Sequence, residues 1–130
     1  MCKLIVLDDD KIQHLIFRKM LNQYHIVDHT MFSDDGNRVL DFLENYKSNN
    51  EMLPELIFLD LNMPNLNGWK FLEQLKNLYP QLTKHVTVYI ISSSVNPSDV
   101  KRSKKYSFVN SYIIKPITRE RLNNIVEHVH

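Results

Sequence analysis

The chain has 130 residues, too few for two independent cores without disulfides or metals to staple them, so one domain is expected over 1–130. Hydrophobic residues make up 43% and charged residues 24%, and sixteen basic residues against fifteen acidic ones leave +1, without the basic surplus of a nucleic-acid binder. A single cysteine, Cys2, rules out an intramolecular disulfide framework and points to a reducing, cytoplasmic setting, and no apolar stretch approaches the roughly 18 residues that cross a bilayer.

In chain order, Leu4–Leu7 is the first apolar run, broken at Asp8 and so too short for a signal peptide. Ile12, Leu15, Ile16 and Met20 then repeat at helical spacing, widened by Phe17 and Leu21. The segment from His25 to Phe32 mixes Ile26, Val27 and Phe32 with polar residues, as an edge strand does. Val39, Leu40, Leu43 and Tyr46, after Gly36, predict a second helix. Leu56–Leu59 is a continuous apolar run, expected of a strand covered on both faces. Trp69, Leu72, Leu75, Lys76 and Tyr79 form a third helical set, closed by Pro80. Val86–Ile91 is the fourth strand, Ser98–Tyr106 a short polar helix, and Tyr112–Ile114 the fifth strand. Leu122, Ile125, Val126 and Val129 complete a last helix, with Thr118 as N-cap. Strand–helix repeated five times predicts an α/β fold built on a parallel sheet, whose ligands bind beyond the carboxyl ends of the strands.

Those ends carry the chemistry. Strand one runs into Asp8-Asp9-Asp10, strand three into Asp60, strand four into Ser92-Ser93-Ser94 and strand five into Lys115-Pro116. Singly, each has an ordinary reading: Asp10 can cap a helix, Ser93 can serve a turn before Asn96-Pro97, Lys115 can be a solvated lysine. Together they place carboxylates, a hydroxyl and an ammonium on one rim. If strands one and three are neighbours, Asp8, Asp9 and Asp60 crowd. Two unit charges about 4 Å apart repel by roughly 4 kcal/mol at an effective dielectric of about 20, so the cluster needs a proton or a cation. Oxygen donors without His or Cys favour a hard ion such as Mg²⁺. A lysine, a hydroxyl and such an ion match the equatorial oxygens of a transferring phosphoryl group, with one aspartate as nucleophile.

The stretch Asp60-Leu61-Asn62-Met63-Pro64-Asn65-Leu66-Asn67-Gly68, with the acids, the hydroxyl and Lys115-Pro116 in order, resembles the receiver domain of two-component response regulators over essentially the whole chain. The resemblance implies a doubly wound, flavodoxin-like (βα)5 three-layer sandwich with a parallel five-stranded sheet ordered 2-1-3-4-5. It implies Asp60 as phosphoacceptor for a sensor histidine kinase or histidine phosphotransfer protein. Asp9 and Asp60 would bind Mg²⁺ directly with the backbone carbonyl of Asn62, and Asp8 through water. Lys115 would meet the phosphoryl oxygens, with a cis peptide to Pro116. Ser92 would be the hydroxyl drawn inward on phosphorylation, letting Tyr112 turn from exposed to buried. The face of helix four, strand five and helix five would then engage a downstream protein, with neither nucleic acid nor membrane as direct partner. Such a chain is a switch rather than an enzyme, apart from self-catalysed gain and loss of its phosphate. Departures from the family pattern are Ser107-Phe108-Val109 before strand five, Val95, and only two glycines.

Two other readings compete. A Mg²⁺-dependent phosphatase resembling the haloacid dehalogenase superfamily would use Asp8 and Asp10, supported by Ser92 and Lys115. A degenerate receiver scaffold would bind partners without being phosphorylated. The basic run Lys101-Arg102-Ser103-Lys104-Lys105, on the predicted fourth helix, reads first as a solvated face and second as a dock for an acidic partner. Trp69 and the six histidines have no ligand spacing.

Overall fold

Five parallel strands form one sheet in the order β2-β1-β3-β4-β5, and the structure, a computed structural model, describes residues 2–22, 27–63 and 67–127. The elements alternate: β1 (Cys2–Leu7), α1 (Lys11–Leu21), β2 (Val27–Ser33), α2 (Gly36–Asn45), β3 (Leu56–Leu59), α3 (Gly68–Leu78) with a 3-10 turn at Tyr79–Gln81, β4 (Thr87–Ser92), α4 (Pro97–Ser103), β5 (Val109–Ile114) and α5 (Arg119–Glu127). None of the helices among the described residues is long and apolar enough to cross a membrane.

Alternation along buried strands makes two cores. Ile5 and Leu7 of β1 point to the side where Val39, Leu43, Phe71, Leu72 and Leu75 of α2 and α3 pack. Leu4 and Val6 point to the other, against Phe17 and Met20 of α1 and Leu122, Ile125 and Val126 of α5. A strand whose successive residues enter opposite cores must be apolar throughout, which is why β1 and β3 read as unbroken runs. The helices start where a short polar side chain takes an orphan N–H: Asp10 from Ile12, Asp35 from Asn37, Asn67 from Lys70, Asn96 from Ser98, and Thr118 from Arg121 at 3.1 Å.

Several boundaries differ from the sequence reading, most of them by one or two residues. Helix α4 ends at Ser103, not Tyr106, because the N–H groups of Lys104, Lys105 and Tyr106 turn back to carbonyls three residues earlier and Tyr106 enters the core, its hydroxyl on Glu73 Oε2. Strand β5 starts at Val109, three residues before the apolar run, because Phe108 already accepts a ladder bond from Val88 N–H. Strand β4 starts at Thr87. The strand start expected at His25, with Ile26 after it, and the last helical residue expected at Val129 lie outside the described residues. The unusual Phe108 is buried, its ring stacked on Tyr79 at 4.9 Å and tilted against Tyr106 at 5.8 Å.

Gly68 shows why the stretch after β3 ends in glycine. A Cβ there would lie 2.6 Å from the Leu61 Cα and 3.0 Å from the Asp60 carbonyl oxygen, while Gly68 N–H donates to the Leu61 carbonyl. The start of α3 is thereby pressed onto the end of β3. Gly68→Ala is expected to cost about 1–3 kcal/mol, as overpacking does, measured by urea unfolding; a loss below about 0.5 kcal/mol means the contact relaxes freely.

Candidate functional site

Four loops meet at the carboxyl rim because backbone hydrogen bonds tie them pairwise. Asp8 N–H donates to the Ser33 carbonyl, Asp60 N–H to that of Leu7, and Lys115 N–H to that of Ser92 at 2.8 Å. Asp8 is 3% exposed and Asp60 6%, whereas Asp9 is exposed. Carboxylate oxygens of all three lie within 4.8 Å of one another, the one such group among the described residues. Lys115 reaches across from β5: its Nζ is 3.0 Å from Asp8 Oδ2 and 3.5 Å from Asp60 Oδ2. The peptide from Lys115 to Pro116 is cis.

The local turns orient the acids. Asp8 Oδ1 accepts from Asp10 N–H at 2.9 Å, and Asp60 Oδ1 accepts from Asn62 N–H at 3.2 Å, leaving one oxygen of each to face Lys115. Burial drives the Asp60 carboxyl up to about 6 from 3.8. The Asn62 N–H works against that shift, the Asp8 charge adds to it, and Lys115 opposes it. Burial also works against the Lys115 ammonium, but the hydrogen bond to Asp8 and the charges of Asp60 and Asp8 outweigh it and hold the group above its ordinary 10.5. One lysine, paired with Asp8 and Asp60, thus serves a cluster of three carboxylates, and the donor set is all oxygen. That set fits a hard divalent cation, which would add the missing positive charge.

Ser92 is fully buried, and its Oγ accepts from Ser94 N–H at 3.1 Å. Tyr112, the residue expected to turn from exposed to buried on phosphorylation, is half-buried in this structure. Its ring packs half-buried against the core and its hydroxyl donates to the Ser94 carbonyl at 2.9 Å, which satisfies both ends of an amphipathic side chain. Ser94 is therefore a node the sequence reading missed: its Oγ donates to Asp99 Oδ2 at 2.7 Å and accepts from Asn96 N–H. The serine–asparagine–proline turn ahead of an acid was the available signal. Asn62 is exposed, and Pro64, Asn65 and Leu66 of the motif lie outside the described residues.

Asp10 stands apart from the cluster, its Oδ1 capping α1 on Ile12 N–H at 2.9 Å. The dehalogenase-like phosphatase reading thereby loses its second acid. In the basic run, Lys101 and Arg102 lie on α4 and Lys104 and Lys105 in the turn after it, with Arg102 over the Trp69 ring at 4.4 Å.

Residues 4–127 match the family described as the response regulator receiver domain. A probable methanogenesis regulatory protein, FilR2, of Methanothrix harundinacea is 25% identical over 126 residues, covering 97% of this chain and 79% of that protein. The chain spans only 46% of the next two curated relatives. Among solved structures, a two-component response regulator from Cytophaga hutchinsonii superposes with a TM-score of 0.86 at 27% identity, over 99% of this chain and 96% of that one. The phosphorylated cyanobacterial phytochrome response regulator RcpA gives 0.76 at 26% identity, over 98% and 90%.

A carboxyl with a higher pKa folded than unfolded stabilises the fold below the unfolded value of 3.8 and loses that contribution as pH rises through about 6. Ionised Asp60 therefore opposes folding at pH 8. Asp60→Asn is expected to raise the urea midpoint of the metal-free protein at pH 8, with the gain shrinking between pH 6 and 4. A variant less stable than wild type at pH 8 contradicts the assignment.

Proposed function

The chain belongs to the response regulator receiver domain family, and from that premise we propose that it is a phosphorylation switch whose acceptor is Asp60. The observation that carries the reading is Lys115 Nζ held between Asp8 and Asp60 at a rim that gathers three carboxylates. Asp8, Asp9, Asp60 and the Asn62 carbonyl are the residues that would hold Mg²⁺, which when bound supplies positive charge to the oxygens of the incoming phosphoryl group. Residues 1–130 act in this reading as one receiver unit, in a cytoplasmic setting.

Asp60, ionised above about pH 6, attacks the phosphorus of a phosphohistidine. An aspartate oxygen–phosphorus bond forms as the phosphorus–nitrogen bond breaks, and the imidazole nitrogen leaves with the electron pair. Lys115 stabilises the charge on the phosphoryl oxygens, exchanging part of its pairing with the carboxylates for them. Water later attacks the phosphorus, returning the carboxylate and releasing inorganic phosphate. Ser92 donates its hydroxyl to the phosphoryl group. If the Ser92 side chain turns toward the phosphoryl group to do so, its Oγ is drawn away from Ser94 N–H, and the Ser94 carbonyl that holds Tyr112 moves with it. The change thus reaches the face of α4, β5 and α5, near which Val95 and Ile114 are 69% and 47% exposed and on which Lys101 of α4 is also exposed. That surface suits a downstream protein with acidic and apolar groups.

The phosphoryl donor needs a surface of its own. Ile12, Leu15 and Ile16 are 67%, 59% and 43% exposed on α1, the helix that leaves the acidic rim, and they share one face. A sensor kinase or histidine phosphotransfer protein covering this stripe would bring its phosphohistidine to Asp60.

Acetyl phosphate with Mg²⁺ is expected to form a hydroxylamine-sensitive acyl phosphate on wild type. Asp60→Asn abolishes it, Asp9→Ala and chelation of the metal cut it at least about tenfold, and labelling of Asp8 instead would restore the phosphatase reading. Leu15→Glu is expected to lower transfer from a cognate protein donor about tenfold or more while acetyl phosphate labelling stays unchanged. Equal loss with both donors places the effect in the fold.

A further inference from the structure

A second cavity, of about 460 Å³, lies on the open edge of β2 between α1 and α2, and nothing in the phosphorylation chemistry uses it. Its walls carry three cations, Lys11, Arg18 and Arg38, against one carboxylate, Asp34. Arg18 stacks its guanidinium 4.1 Å above the Phe32 ring, a contact that uses the face of the planar group and leaves its N–H edge directed outward from the ring. Arg38 has a side chain 80% exposed, and its Nε lies 3.8 Å from Asp35 Oδ2, at the outer limit of an ion pair. His14 lines the same cavity. Its Nε2 is buried and has no hydrogen-bond partner, the one such side-chain atom among the described residues. A buried polar atom without a partner is unfavourable, so a group that satisfies it is held more tightly.

The other half of the cavity is apolar. Phe42 and Met31 line it and also line a neighbouring cavity of about 360 Å³ whose remaining walls include Leu4, Ile5, Met52 and Pro54. The two spaces run along the same sheet edge and share a wall of two adaptable side chains. A cationic mouth with an unsatisfied imidazole, opening on an apolar wall, selects an amphipathic anion. We propose that the β2 edge is a binding site for a small organic anion, a phosphate ester or carboxylate with a flat or apolar body. The anionic head lies among Arg18, Arg38 and His14, and the body lies against Phe42 and Met31.

The test uses the full chain without divalent metal, titrated calorimetrically with 1-naphthyl phosphate, 1-naphthoate and inorganic phosphate. One-to-one saturable binding is expected for at least one naphthyl compound, the tighter of the two identifying the head group as phosphate or carboxylate. Arg18→Ala and Arg38→Ala should each weaken it at least about tenfold, and Phe42→Ala should weaken the naphthyl compounds but not inorganic phosphate. Labelling by acetyl phosphate should be unchanged in Arg18→Ala and Arg38→Ala, which certifies their fold. The proposal is overturned by an absence of saturable binding, by affinities indifferent to both arginines, or by inorganic phosphate binding as tightly as the naphthyl compounds. Loss of binding in Lys115→Ala overturns it equally, since the anion would then occupy the rim site.

Discussion

One lysine set among buried carboxylates is the constraint on which the rest depends. Lys115 spans Asp8 and Asp60, just past the ends of β1 and β3, from the end of β5. Without it, two nearly buried acids would face each other with no charge to balance them, and such a rim would protonate or open. With it, the cluster is still short of positive charge. That shortage is what gives the rim affinity for a cation and for a group carrying mobile negative charge. Burial, with the Asp8 charge adding to it, lifts the Asp60 carboxyl to about 6, low enough to be ionised near neutrality yet destabilised in a way that a nearby cation relieves.

The sheet makes this arrangement possible. In order β2-β1-β3-β4-β5, the central strands β1 and β3 lie side by side, and parallel pairing puts their carboxyl ends on one rim. Loops after β4 and β5 complete it, with the Ser92 carbonyl holding the Lys115 N–H. Beyond the rim the structure is tied to α4 by two routes. Ser94 links Ser92 to Tyr112 and Asp99 through backbone and side chain. An aromatic series from Tyr79 through Phe108 and Tyr106 to Trp69 ends at the Arg102 guanidinium. The first route can respond to a change at the rim. The second packs α4 against α3 and seats the bulky Phe108 that departs from the family pattern.

Much of this was legible in the residues. The unbroken apolar runs at Leu4–Leu7 and Leu56–Leu59 required strands covered on both faces, and the polar residues ending each run had to share an edge. Asp8, Asp9, Asp60, Ser92 and Lys115 were legible as a set for the same reason. Helix caps at Asp10 and Thr118 were local and readable. Boundaries governed by distant partners were not. Tyr106 leaves α4 to meet Glu73, thirty-three residues away, and Val109 joins the sheet because Phe108 pairs with Val88.

The sequence by itself therefore determined the alternation of strand and helix, the residue types at the rim and their order, because hydrophobic periodicity and capping act over a few residues. Only the tertiary structure decided which acids meet and which do not. Asp10 is spent on a helix N-terminus, while Asp8, two residues earlier in the chain, meets Lys115 from 107 positions away. It also decided that Tyr112 is already anchored, that His14 keeps a bare nitrogen, and that three cations line one edge of the sheet. Such facts depend on where side chains from separate elements converge, and convergence is set by packing across the whole sheet rather than by any neighbourhood of the chain.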